Sequence, residues 1–169
     1  PEECNTVTFS ENQIAELIKP INPKAVATRE QRGQTLSYIE AVDAVRHANA
    51  IFGYGNWGYE VIDGPKIVGS SGGESPRNVW QETVKLIITG TVPMYGVGAS
   101  IQAGGSPEAM EMAIKAADTD ALKRALKNYG SQFGLDLYDK EDVKYVTEDY
   151  EKYERWAARQ GDKGKDTAP

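Results

Sequence analysis

A chain of 169 residues, 40% hydrophobic and 26% charged, is long enough to bury one core and is not a polar, disordered tail. Its formal charge of −6 argues against a uniformly basic surface, while a single cysteine (Cys4) and a single histidine (His47) exclude an intramolecular disulfide and any zinc site built from cysteine and histidine within one chain. No apolar run approaches the length that a bilayer requires, so no membrane is expected among the partners. The charge is segregated: residues 1–16 carry four acids and no base, residues 136–169 ten acids against seven bases, and the middle twelve bases against eleven acids. A phosphate responds to charge within a Debye length of about 8–10 Å, so an acidic chain can still present a local basic surface.

In chain order, "SENQIAELIKP" offers Ser10 as a cap, Gln13 at the third helical position and Ile14, Leu17 and Ile18 at helical spacing, ending at Pro20. Residues 21–34 mix proline, glycine and three bases (Lys24, Arg29, Arg32), which predicts an extended arm leading to a short strand at Thr35 to Ile39. A helix from Glu40 to Gly53 follows, with Val42, Val45, Ala48, Ala50 and Ile51 on its apolar face. "YGNWGYEVIDG" turns into a strand, and residues 64–78 read as a serine- and glycine-rich connector around a strand end at Lys66 to Val68. "VWQETVKLIITGTV" is the longest predicted strand and "MYGVGASIQ" another, together an antiparallel meander. A long helix starts at Ser106-Pro107 and ends near Tyr129, closed by a left-handed Gly130. Met110, Ile114, Ala117, Ala121, Ala125 and Tyr129 form its apolar stripe, with Leu122 and Leu126 at the edge. "YVTEDYEKYERWAARQ" reads as a further helix and "GDKGKDTAP" as disordered, so residues 1–145 are expected to form the domain and residues 146–169 a charged tail.

The chemistry on offer is sparse. Lys123, Arg124 and Lys127 form one basic helix face, which also reads simply as a solvated face with Asp120 paired to Arg124. Tyr54, Trp57 and Tyr59 offer base-stacking faces, or a tight turn around a core tryptophan. "GSSGGES" lacks the Gly-Lys-Ser/Thr that would hold nucleotide phosphates. His47 has no nucleophile near it in sequence, and Asp118 and Asp120 point to different helix faces, so no catalytic site and no cofactor are expected.

Three segments in register, "LSYIEAVDAVRHANAIFGYGNWGYEV", "YGVGAS" and "KAADTDALKRALKNYGSQFG", resemble the annealing domain of the Rad52 family of recombination proteins, over roughly residues 9–139. The most specific parts are Tyr38 to Glu40, the turn from Phe52 to Trp57, and Thr119 to Leu126. The resemblance implies an α+β domain, an antiparallel meander packed against a long C-terminal helix, assembling into an oligomeric ring. Such rings anneal complementary single strands without ATP, gripping the DNA backbone in an inner groove with the bases outward. It assigns DNA contacts to Lys123, Arg124 and Lys127, to Arg29 in the arm, to Lys115, to Tyr38 and to Ala99 at the glycine-flanked hairpin, whose glycines would let backbone approach DNA.

The implied partners are single-stranded DNA and further copies of the chain, with a single-strand binding protein or a recombinase as protein partners. The implied location is intracellular and DNA-associated: cytoplasm or nucleoid in a bacterial or phage setting, nucleus or mitochondrion in a eukaryotic one. Lysines that serve a second, outer DNA site are missing from "IQAGGSPEAMEM", leaving Arg77 as the sole remnant of one. Two other readings stay open. One is a protective single-strand DNA or RNA binding module using the aromatics of the Phe52 to Tyr59 turn; the other is a small enzyme holding an anionic metabolite at Lys123 and Arg124.

Overall fold

The computed structural model describes residues 9–31, 33–138 and 143–163. The expectations for the acidic start with Cys4, for Arg32 and for residues 164–169 lie outside the described residues. The first helix, α1 (Glu11–Ile18), begins as its residues dictate. Ser10 Oγ accepts the Gln13 backbone N–H at 3.2 Å and the Gln13 side chain accepts the Ser10 N–H at 2.9 Å, satisfying two donors that helix starts leave open. The arm that follows is a strand, β1 (Val26–Gln31), paired antiparallel with β2 (Gln34–Ile39) so that Arg29 opposes Leu36 and Ala27 opposes Tyr38.

Helix α2 (Ala41–Phe52) stops at Gly53, whose φ of 88° suits glycine. Its buried positions are Ala44, Ala48, Ile51 and Phe52, whereas Val42 and Ala50, expected inside, are exposed. Phe52 sets this rotation: its ring stacks on Phe9 at 5.6 Å and on Phe133 at 5.7 Å and meets Tyr129 edge-on at 5.6 Å. This cluster joins both ends of the domain.

The meander is a separate three-stranded sheet, β3 (Trp57–Ser70), β4 (Arg77–Ile88) and β5 (Met94–Ala103), antiparallel in the order β3-β4-β5. Contrary to expectation β3, not β4, is the longest strand: it runs through the stretch read as a connector, leaving only residues 71–76 as the link. Register shifts between Val61 and Lys66 accommodate Gly64, with its φ of 97°, and Pro65, which has no N–H to donate. An edge strand tolerates such a bulge.

The long helix, α3 (Pro107–Lys127), starts where expected, with Ser106 Oγ accepting the Ala109 N–H at 3.2 Å and Pro107 in the first turn. It stops at Lys127, earlier than Tyr129, with Asn128 as its cap. Gly130 (φ 124°, ψ −164°) is not the left-handed helical cap; a Cβ there would stand 2.9 Å from the Leu17 carbonyl oxygen. The buried stripe is also rotated from its expected place. It comprises Ala113, Ala117, Ala121 and Ala125 with Leu122 and Leu126, and leaves Met110 exposed.

The reason lies in β5. A Cβ on Gly96 would fall 2.0 Å from the Ala121 carbonyl oxygen, and one on Gly98 2.1 Å from that of Ala117. Strand and helix backbones therefore touch along a glycine–alanine seam. This overturns the reading of these glycines as an opening for DNA: they face the helix, and the outward side of β5 is Tyr95, Val97, Ala99 and Ile101. The last helix, α4 (Val143–Lys163), inserts Val146 into the core beside Leu17, Ile21 and Leu137, and Tyr150 Oη accepts a hydrogen bond from Asn22 Nδ2 at 3.3 Å. Among the described residues no helix is long and apolar enough to cross a membrane.

Replacing Gly98 by alanine should cost about 3 kcal/mol or more, because backbone on both sides must move. Gly105→Ala, where a Cβ meets open space, should stay within about 0.5 kcal/mol. Urea unfolding of both variants checks this; equal midpoints would mean that the seam is not tight.

Candidate nucleic-acid interface

Four of the sequence-predicted residues meet where the β1–β2 hairpin leans on the second half of α3. Arg29 and Tyr38 are diagonal neighbours across the hairpin, and the guanidinium carbon of Arg29 lies 5.6 Å from the Tyr38 ring centroid. Lys123 reaches the same ring from α3, its Nζ at 5.5 Å, and donates to the Ile39 carbonyl at 3.4 Å. Tyr38 thus serves two cations at once, while its hydroxyl donates to Glu40 Oε1 at 3.3 Å. A narrow cleft beside it is lined by Ser37, Tyr38, Asp120, Lys123, Lys127 and Gly134 among others, which places Lys127 in the same group.

Lys123 is about half-buried. Burial pushes its pKa below the ordinary lysine value, Asp120 and Glu40 pull it back up, and the positive charges of Arg29 and Arg124 push it down again. Arg29 and Arg124 are thus both near enough to Lys123 to act on its charge. Arg124 is held in turn: its Nε donates to Asp120 Oδ2 at 2.8 Å, and the same oxygen accepts the backbone N–H of Ala99 at 3.1 Å. Asp120 therefore ties β5 to α3 next to the cations. Its i,i+4 pairing with Arg124 matches the sequence; its capture of a strand amide does not follow from any local spacing.

Lys115 stands apart. It sits eight residues before Lys123, about 12 Å along the helix axis, and forms an exposed i,i+4 ion pair with Glu111, whose carboxyl it holds below the usual range. The aromatic turn is divided as well. Trp57 is partly buried and donates Nε1–H to Asn49 Oδ1 at 2.9 Å, Tyr59 donates to Asp118 Oδ2 at 3.1 Å, and Tyr54 is exposed. The Trp57 indole fits a packed turn. His47 Nδ1 lies 2.7 Å from the Gln132 carbonyl, which only accepts, so that nitrogen carries the proton and the ring fastens α2 to the turn after α3. Among the described residues no group of three or more histidine, cysteine, aspartate or glutamate side chains could hold a metal ion.

One chemically unusual group escaped the sequence reading: Glu82, buried at the inward face of β4. The strict alternation Trp80, Glu82, Val84, Leu86, Ile88 marks it as inward, and the strand pattern already carried that signal.

A model of the Rad52/22 family double-strand break repair proteins matches residues 10–156. The chain belongs to that family. It is 34% identical over 83% of its length to the DNA repair and recombination protein RAD52 of Candida glabrata, and 32% identical over 78% to the RAD52 of Saccharomyces cerevisiae. The DNA repair and recombination protein rti1 of Schizosaccharomyces pombe is 27% identical over 86% of the chain. The matches cover 28%, 29% and 42% of those relatives, so the chain spans less than half of each.

Asp120→Ala should remove both the Ala99 contact and the Arg124 pair and destabilise the fold by about 1–2 kcal/mol, with Asp120→Asn losing less because an acceptor oxygen remains. Thermal unfolding of the two variants measures this. Wild-type stability in Asp120→Ala would show that the carboxylate does not fasten β5.

Proposed function

We propose that this chain binds single-stranded DNA by its sugar-phosphate backbone and anneals complementary strands without ATP, in recombination and double-strand break repair. The observation that carries the proposal is the convergence of Arg29, Lys123 and Lys127 around Tyr38, from a hairpin and a helix, with Arg124 near enough to act on Lys123, in a chain of net charge −6. Lys123, half-buried and fixed by an aromatic ring and a backbone carbonyl, is a pre-oriented donor for phosphate oxygens, and Arg29 is held against the same ring. Ala99 brings strand backbone beside them, and Lys115 extends the track along α3. Membership of the Rad52/22 family, and its similarity to yeast DNA repair and recombination proteins, support the same reading.

Annealing on this account is positional. The protein holds the backbone, leaves base edges free, and Watson–Crick pairing supplies the sequence recognition. Assembly into a ring follows as part of the proposal, because one cluster neutralises only a few phosphates whereas repeated copies form a continuous track. Exposed Tyr95, Val97, Ile101 and Ile87 on the outer sheet, and the sheet edges at β3 and β5, are surfaces that copies of the chain would cover. Residues 1–145 act as the annealing unit, in the DNA-containing compartment of the host cell; a single-strand binding protein or recombinase is the natural protein partner. The protective-module reading retains one feature, the exposed ring of Tyr54.

Changing Lys123 and Arg124 together to alanine should weaken binding to every single-stranded sequence at least tenfold. It should also make the slope of log affinity against log salt shallower by about 1.4, roughly 0.7 for each lost phosphate contact. Fluorescence anisotropy with unstructured oligonucleotides gives both numbers, and pairing of complementary oligonucleotides separates annealing from protection. Unchanged affinity in a folded double variant would remove the cluster from the interface.

A further inference from the structure

Glu82 is 2% exposed, and its Oε1 has no hydrogen-bond partner. It lies across the β4–β5 ladder from Gly98, at the point where β5 is pressed on α3. From α3, Asp118 comes within hydrogen-bonding reach of it; from β3, Tyr59 donates its hydroxyl to Asp118 Oδ2 at 3.1 Å. On β5, Gly98 offers no side chain and Ser100 gives its hydroxyl to the Ala113 carbonyl at 2.8 Å. One turn back along α3, Lys115 pairs with Glu111. An ionised Glu82, shut away from water, would be repelled by a neighbouring ionised Asp118.

We propose that Glu82 and Asp118 form a carboxylic acid–carboxylate pair that holds one proton between them and fastens β4 to α3, so that loss of this proton loosens the sheet from the helix carrying the basic cluster. Glu82 is the protonated partner: its O–H donates to the Asp118 carboxylate, which also accepts from Tyr59. Burial first, and then the Asp118 carboxylate, push the Glu82 carboxyl up to about 7 from an ordinary 4.5. Burial and the same aspartate also raise the Tyr59 hydroxyl. Because the folded value lies above the unfolded one, the stabilisation is complete at pH below the unfolded value and disappears as pH rises through about 7. The layer is thus a proton-dependent clamp independent of what the basic cluster binds.

The test is Glu82→Gln, which keeps the shape, is neutral at every pH and can donate an N–H to Asp118. Between about pH 6 and 8 the folding equilibrium constant of the wild type should fall roughly tenfold, and that of the variant should stay flat. The same slope in both proteins overturns the proposal. Infrared titration of the unmodified protein decides the matter even if the variant does not fold: a protonated-carboxyl band that disappears near neutral pH supports the pair, and its absence above about pH 5.5 overturns it. Stability that instead rises with added magnesium or calcium and falls with chelator would assign the two carboxylates to a cation and also overturn it.

Discussion

The contact between β5 and α3 determines where the neighbouring elements can lie. Gly96 and Gly98 leave no room for a Cβ, so the strand backbone lies directly on the alanine face of the helix. Such a seam contributes little hydrophobic area per residue, but it fixes the distance and register between two elements closely, since any slip drives backbone into backbone. Larger side chains complete the core on either side: Val84, Leu86 and Ile88 from β4, and Leu122 and Leu126 from α3.

That register positions the basic cluster. With β5 fixed on α3, Ala99 meets Asp120, and Asp120 orients Arg124. The next residues on the helix face the β1–β2 hairpin, where Tyr38 lies between Arg29 and Lys123. The acidic groups there are few and committed: Asp120 to Ala99 and Arg124, Glu40 to the Tyr38 hydroxyl. An acidic protein can therefore present a cationic surface because the compensating carboxylates are held by specific partners and much of the remaining acid lies near the chain ends. The scaffold that fixes the cluster has its own internal charge problem at Glu82 and Asp118, which a shared proton resolves without a cation.

The helix starts were legible because capping chemistry is local: Ser10 with Gln13 and Ser106 with Pro107 form as their residues dictate. The meander was legible from β-branched alternation, and the basic residues of the last helical turns from spacing and from family resemblance. What could not be read were features set by tertiary packing. Val42 is outside because Phe52 rotates α2 into an aromatic cluster; α3 buries alanines rather than Met110 because β5 presses on it. The direction faced by Gly96 and Gly98 requires knowing which side of β5 the helix covers, and the bulge that carries β3 past Gly64 and Pro65 has the composition of a loop. The pairing of Glu82 with Asp118 joins residues 36 positions apart in the sequence, beyond any local pattern.

The most direct test of the central claim is a structure of the protein bound to an oligothymidylate, determined by electron cryomicroscopy so that assembly is seen in the same experiment. The expected result is phosphate oxygens against Arg29, Lys123, Arg124 and Lys127 beside Ala99, with the bases directed away and copies of the chain continuing the track. A strand lying on the outer sheet face, or bases stacked on Tyr54 with the cluster unoccupied, would contradict it.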